Sequence, residues 1–123
     1  EHPLKNMHEN TVLYTGTHDN DTSLGWYKTI SKEMDQKKIK HVENILDINV
    51  KEVNWSMIEY SLESKALLVM VPIQDLLGIS SEGRMNTPGT ISNQNWSWRM
   101  VSNDLRDSIK KRMKKITKKA NRV

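Results

Sequence analysis

The chain has 123 residues, of which 36% are hydrophobic and 28% charged, a balance that excludes a disordered chain and gives one soluble globular domain with a thin core. It has no cysteine, so a disulfide framework and thiolate chemistry are excluded and a reducing compartment, the cytoplasm by default, is expected. The net charge is +4, and no apolar run approaches the ~18 residues that cross a bilayer, so no membrane span is expected.

The first residues, Glu1-His2-Pro3, lack an initiator methionine, which predicts a piece of a longer protein. Thr11 to Thr15 is a β-branched and aromatic run that predicts a buried strand, ending at Gly16 and the polar loop Thr17 to Thr22. Thr22 or Ser23 can cap a short helix carrying Leu24, Trp26, Tyr27 and Ile30. Ser31 could start a second, carrying Met34, Ile39, Val42 and Ile45.

From Lys51 onward, Trp55, Ile58, Leu62 and Ala66 recur at spacings of three and four, the stripe of an amphipathic helix, with Val53 and Met57 off it. Ala66 to Val71 has no alternation and reads as a parallel strand covered on both faces, stopped by Pro72. After Ile73 to Gly78, a Ser/Asn/Gly/Pro-rich loop runs to about Ser97, and ordered loops of this length are usually functional. The last helix is expected to begin near Ser102 or Asn103, with Leu105, Ile109, Met113 and Ile116 on one face. Its acids (Asp104, Asp107) fall at the start and its lysines at the end, as the helix dipole favours.

Eight basic residues between 110 and 123 leave a mildly acidic body. Such a run can bind nucleic acid, but it is more often a solvated helix face, and no stacking aromatics interleave with it. The order strand, helices, strand, helix describes two units of a parallel sheet. Two parallel strands alone do not make an independently stable sheet, so the chain is expected to be part of a larger fold.

Three segments can carry chemistry. Thr17-His18-Asp19-Asn20-Asp21-Thr22 lies just beyond a strand's carboxyl end, where parallel α/β folds bind ligands, although a turn with a helix cap collects the same residue types. A metal site is not expected, because adjacent residues such as His18 and Asp19 point to opposite faces of an extended segment. Glu82 to Thr90 contains a Pro88-Gly89 turn, Asn86 with donor and acceptor for a hydroxyl-rich ligand, and Arg84, which can instead pair with Glu82 or Asp75. In Asn95-Trp96-Ser97-Trp98-Arg99, the indoles can stack on sugar rings, but packing at the foot of a helix is the commoner outcome.

Taken in order, Tyr14 to Thr22, Leu24-Gly25-Trp26, Val71 to Gly78, Arg84 to Thr90 and Asn95 to Arg99 resemble the closing segments of bacterial 4-α-glucanotransferases (amylomaltases), relatives of the α-amylases. The likeness covers nearly the whole chain; His2 to Asn10 matches only loosely, and the last helix is richer in lysine than the family pattern.

The resemblance implies an α/β fold, the C-terminal part of a (β/α)8 TIM barrel with strands 7 and 8 and their helices. Residues 1–123 would form one segment of that catalytic barrel, incomplete by itself. It implies transfer of α-1,4-glucan segments between maltooligosaccharides with retention, by three carboxyl groups, with no cofactor and no metal. The third carboxylate matches Asp19, a transition-state stabiliser. His18 and Asn86 would bind substrate, and Asp21, Gln74, Asp75 and Arg84 would support them.

The nucleophile and the acid/base match nothing here, so the isolated chain is expected to be inactive. The partners implied are α-1,4-glucans, maltooligosaccharides, glucose and the upstream part of the same barrel, with neither nucleic acid nor membrane. The alternatives are a non-catalytic sugar-binding or subunit-interaction piece and, behind it, nucleic-acid binding through the basic helix.

Overall fold

The computed structural model describes residues 3–123. After a 3-10 turn at Pro3–Asn6 come β1 (Val12–Tyr14), α1 (Ser23–Glu33), α2 (Gln36–Leu46), α3 (Val53–Leu62), β2 (Leu68–Met70) and α4 (Ile73–Leu77). A second 3-10 turn at Ser81–Gly83, a long irregular segment and α5 (Asp107–Lys119) complete the chain. No helix among the described residues is long and apolar enough to cross a membrane.

The strands pair in parallel, Val12 against Leu68, Leu13 against Val69 and Tyr14 against Met70, so their carboxyl ends lie side by side. This is the parallel arrangement expected of two consecutive strand-and-helix units. Contrary to expectation, within this chain the first strand is not buried and Ala66 to Val71 is not covered on both faces. Val69 and Val71 pack on the core, whereas Val12, Tyr14, Leu68 and Met70 alternate onto a bare face and are 43–50% exposed. The helices here cover one side of the sheet only. The chain's accessible surface is 8616 Å², about a quarter more than the roughly 6,800 Å² of a compact monomer of its mass.

The core is Trp55, Ile58, Leu62 and Ile116, with Val69, Val71, Leu76, Ile109 and Met113 against it. The predicted stripe on α3 is therefore the core seam. Val53, expected to lie off the stripe, is also buried, because α3 is contacted by α1, α2, α4 and α5 and so presents more than one covered face. Ala66 is buried beyond the end of α3 rather than on it.

Two helix starts differ from expectation. Thr22 does cap α1, accepting a hydrogen bond from the Gly25 amide at 3.1 Å. Ser31, however, lies inside α1 with its hydroxyl donated back to the Tyr27 carbonyl. The cap of α2 is Asp35, whose carboxylate takes the Lys38 amide. At the last helix, Asn103 adopts a left-handed conformation (φ 67°) and the Asp104 carboxylate takes the Val101 amide in a turn, so α5 starts only at Asp107 and leaves Leu105 outside it.

Candidate functional site

The site is built from two loops that leave the carboxyl ends of the paired strands. The first runs from Thr15 to Thr22. The Asn20 side-chain carbonyl accepts from the Thr17 amide at 2.8 Å and from its hydroxyl at 3.0 Å, while the Asn20 amide donates to the Thr17 carbonyl. This side-chain closure turns the chain at His18-Asp19 and holds both residues at the rim, about half exposed. The turn also defeats the argument that these neighbours diverge: His18 Nε2 lies 3.3 Å from Asp19 Oδ2. Among the described residues, no three His, Cys, Asp or Glu side chains converge as a metal site.

The second loop follows α4 and clamps the first. Arg84 Nη2 donates to the Asp19 carbonyl at 2.8 Å and Arg84 Nε to the Asn86 carbonyl at 2.8 Å, so one guanidinium spans both loops instead of pairing with Glu82 or Asp75. The Asn86 amide donates to the His18 carbonyl at 3.1 Å, and its side-chain Nδ2 donates to Asp19 Oδ1 at 2.8 Å. One carboxylate oxygen of Asp19 is thus fixed by an amide and the other faces an imidazole.

Below the rim, Asp75 is 2% exposed and joins three elements. Its Oδ1 accepts from the Ser23 amide at 2.8 Å, and its Oδ2 accepts from the Thr15 hydroxyl at 2.6 Å and the Ser23 hydroxyl at 2.8 Å. Asn54 of α3 holds the Asp75 carbonyl at 2.8 Å. A buried acidic side chain met by three donors at the first turn of α1 is well satisfied. Gln74, also buried, donates to the Gly83 carbonyl at 3.0 Å and so holds the start of the second loop.

Asp21 has partners of its own, accepting from its neighbour's amide and from the Ser81 hydroxyl at 2.7 Å each. Gly25 lies against this pair: a Cβ there would fall inside contact distance of the Asp21 carboxylate and the Ser81 hydroxyl.

His18, Asp21, Gln74, Asp75 and Arg84 help line a cavity of about 510 Å³, with Tyr14 of β1 in its wall, while Asp19 and Asn86 stand outside that lining. The seven expected site residues therefore gather at one end of the strands in two tiers, an upper clamp (His18, Asp19, Arg84, Asn86) and a lower support (Asp21, Gln74, Asp75).

Sequence reasoning missed Thr15, Ser23 and Ser81 as the donors that hold the lower tier, since the Thr15–Asp75 and Asp21–Ser81 partners are 60 residues apart and no local spacing marks them. It also misjudged Trp96. That indole is 52% exposed rather than packed, its ring centroid is 5.1 Å from that of His18, and its backbone is left-handed at φ 62°. For a bulky residue this conformation costs about 1–2 kcal/mol.

Parallel strands with helices on one face and polar loops clamped together beyond their carboxyl ends define an α/β protein of the kind that binds ligands at the strand ends. The chain belongs to the 4-alpha-glucanotransferase family, whose profile matches residues 1–104.

The chloroplastic/amyloplastic 4-alpha-glucanotransferase of Solanum tuberosum is 39% identical over 115 residues, 94% of this chain and 19% of that protein. The Thermus thermophilus 4-alpha-glucanotransferase is 40% identical over 100 residues, 80% of this chain and 20% of its own length. Amylomaltase from Streptococcus agalactiae, solved in complex with acarbose, superposes with a TM-score of 0.83 at 31% identity, covering 94% of this chain and 23% of that one. The chain thus spans about a fifth of the length of the relatives it matches.

Proposed function

We propose that these 123 residues are a single C-terminal segment of the catalytic barrel of a 4-α-glucanotransferase, contributing barrel strands 7 and 8 and one of three catalytic carboxyl groups. The whole protein would move α-1,4-glucan segments between maltooligosaccharides, with glucose among its products and acceptors. β1 and β2 would be the two strands, α3 and α5 their outer helices, and the bare face of Val12, Tyr14, Leu68 and Met70 would meet the remaining barrel interior. A barrel of this kind needs eight strands and about 250 residues, so the nucleophile and the acid/base would come from residues other than these. We place the protein in the cytoplasm, as suits a chain without cysteine.

The observation that carries this reading is the orientation of Asp19. Asn86 Nδ2 binds its Oδ1 at 2.8 Å, and its Oδ2 faces His18 at 3.3 Å, so the carboxylate is preorganised before substrate arrives. Held there, Asp19 accepts hydrogen bonds from hydroxyls of the glucosyl ring at the cleaved bond. These charge-assisted bonds tighten as the ring takes on oxocarbenium character, which lowers the barrel's transition state more than its ground state. His18 donates to a neighbouring hydroxyl, and the Asn86 side-chain carbonyl, which has no donor among the described residues, accepts from another. Arg84 keeps the two loops in register, while Asp75, Gln74 and Asp21 hold them from below.

The test is glucose release from maltotriose by the complete protein and its Asp19→Asn variant. Loss of one preorganised electrostatic group is expected to lower kcat by about 10²-fold or more with folding intact. A variant with full activity would remove Asp19 from the mechanism.

A further inference from the structure

Among the described residues, four non-glycine positions have positive φ: Asp47, Trp96, Asn103 and Asn121. Asn and Asp tolerate this region because a short polar side chain relieves it; an indole has no such excuse. The strained backbone is tied down from several sides. The Trp96 amide donates to the Met85 carbonyl at 2.6 Å, and its own carbonyl accepts from Arg99 at 3.1 Å. The preceding Asn95 takes the Thr87 amide at 3.1 Å and donates to Thr90. Over-determined outliers of this sort cluster at active sites and ligand clamps. What it achieves is placement: the ring stands half exposed beside His18, tilted 36° to the imidazole.

We propose that Trp96 is a substrate-stacking, specificity-determining residue: its indole takes the apolar C–H face of a glucosyl unit of the bound chain, while His18, Asp19 and Asn86 take that chain's hydroxyls. A pyranose with equatorial hydroxyls is apolar on its faces and polar on its rim. It is matched by a flat aromatic surface set beside directional donors and acceptors. The proposal rests on the glucanotransferase reading above and adds the residue that binds the ring face.

Two measurements on the complete protein test it. In the first, KM for maltotriose is compared in Trp96→Phe and Trp96→Leu. Loss of one aromatic contact is expected to raise KM about threefold to tenfold in the leucine variant with kcat nearly unchanged, and phenylalanine, which retains a flat ring, should recover most of it. In the second, which needs no variant and decides the matter if leucine prevents folding, oxidation of Trp96 by N-bromosuccinimide is followed by peptide mass spectrometry. Maltotriose at saturation should protect Trp96 and sorbitol should not.

An unchanged KM, a fall in kcat alone, or equal oxidation with and without maltotriose overturns the proposal. A fall in kcat alone would mean that the indole positions His18. These failures are distinct from failure of the glucanotransferase reading, which would be marked by a complete, folded protein that releases no glucose from maltotriose; a fully active Asp19→Asn enzyme would remove Asp19 alone.

Discussion

At the scale of single residues, the candidate site depends on side chains whose partners are distant in sequence. Asp75 is the clearest case: it never reaches the rim, yet it binds Thr15, where the first loop leaves β1, and Ser23, where that loop enters α1. Replacing it with alanine leaves three donors without an acceptor in a buried position. This is expected to cost about 3 kcal/mol or more and to lower transfer activity through the displaced His18-Asp19 turn. The midpoint of urea unfolding of the full-length protein, measured beside glucose release from maltotriose, checks both effects. A variant as stable as the parent would show that the network is dispensable.

At the scale of elements, two arginines bind α5 and the chain's end to the rest. Arg122 donates to the carbonyls of Leu62, Ser64 and Ala66 at 2.7–2.9 Å, closing the carboxyl end of α3 and the turn into β2. Its planar fork matches three carbonyls in a way an ammonium cannot. Arg122→Ala is expected to destabilise by about 1–3 kcal/mol and Arg122→Lys to recover only part, as thermal unfolding would measure.

Arg112 lies 4.5 Å over the Trp55 ring and binds Glu52 through two bonds of 2.7 Å. The Arg112 hydrogen bonds hold the Glu52 carboxyl below its usual range. A carboxyl whose pKa is depressed by folding stabilises the fold above the ordinary glutamate range and loses that contribution as pH falls through the folded value. Glu52→Gln should therefore lower the urea midpoint slightly at neutral pH, and the difference should shrink under acid. A difference that grows on acidification would reverse the assignment.

At the scale of the whole chain, one bare sheet face and an accessible surface of 8616 Å² describe a segment made to be covered. Isolated, the 123 residues should release no glucose from maltotriose above a heat-treated control, having one of the three carboxyl groups that the proposed reaction needs. They should also unfold in urea over a broad range without a cooperative step, since a two-stranded sheet with an exposed face has too little core to melt as a unit. A sharp transition seen alike by far-UV and near-UV circular dichroism would count against that expectation and for a self-sufficient module.

Much of this was readable from residue order. The spacing of Trp55, Ile58 and Leu62 marked the seam of α3, Thr22 marked the start of α1, and the two β-rich runs marked a parallel pair, because helix period, capping and strand composition are local properties. The run Tyr14 to Thr22 likewise pointed to a polar loop at a strand end.

Long-range contacts settled the rest. Val53 is buried because four helices surround α3, and Trp96 faces outward because Met85 holds its amide; the late start of α5 at Asp107 is the exception, a local turn at Asn103 and Asp104. The convergence of His18, Asp19, Arg84 and Asn86 belongs to the same class. Side chains more than sixty positions apart meet only where parallel strands bring their carboxyl ends together, and a hydrogen bond between such residues leaves no periodic trace in either segment.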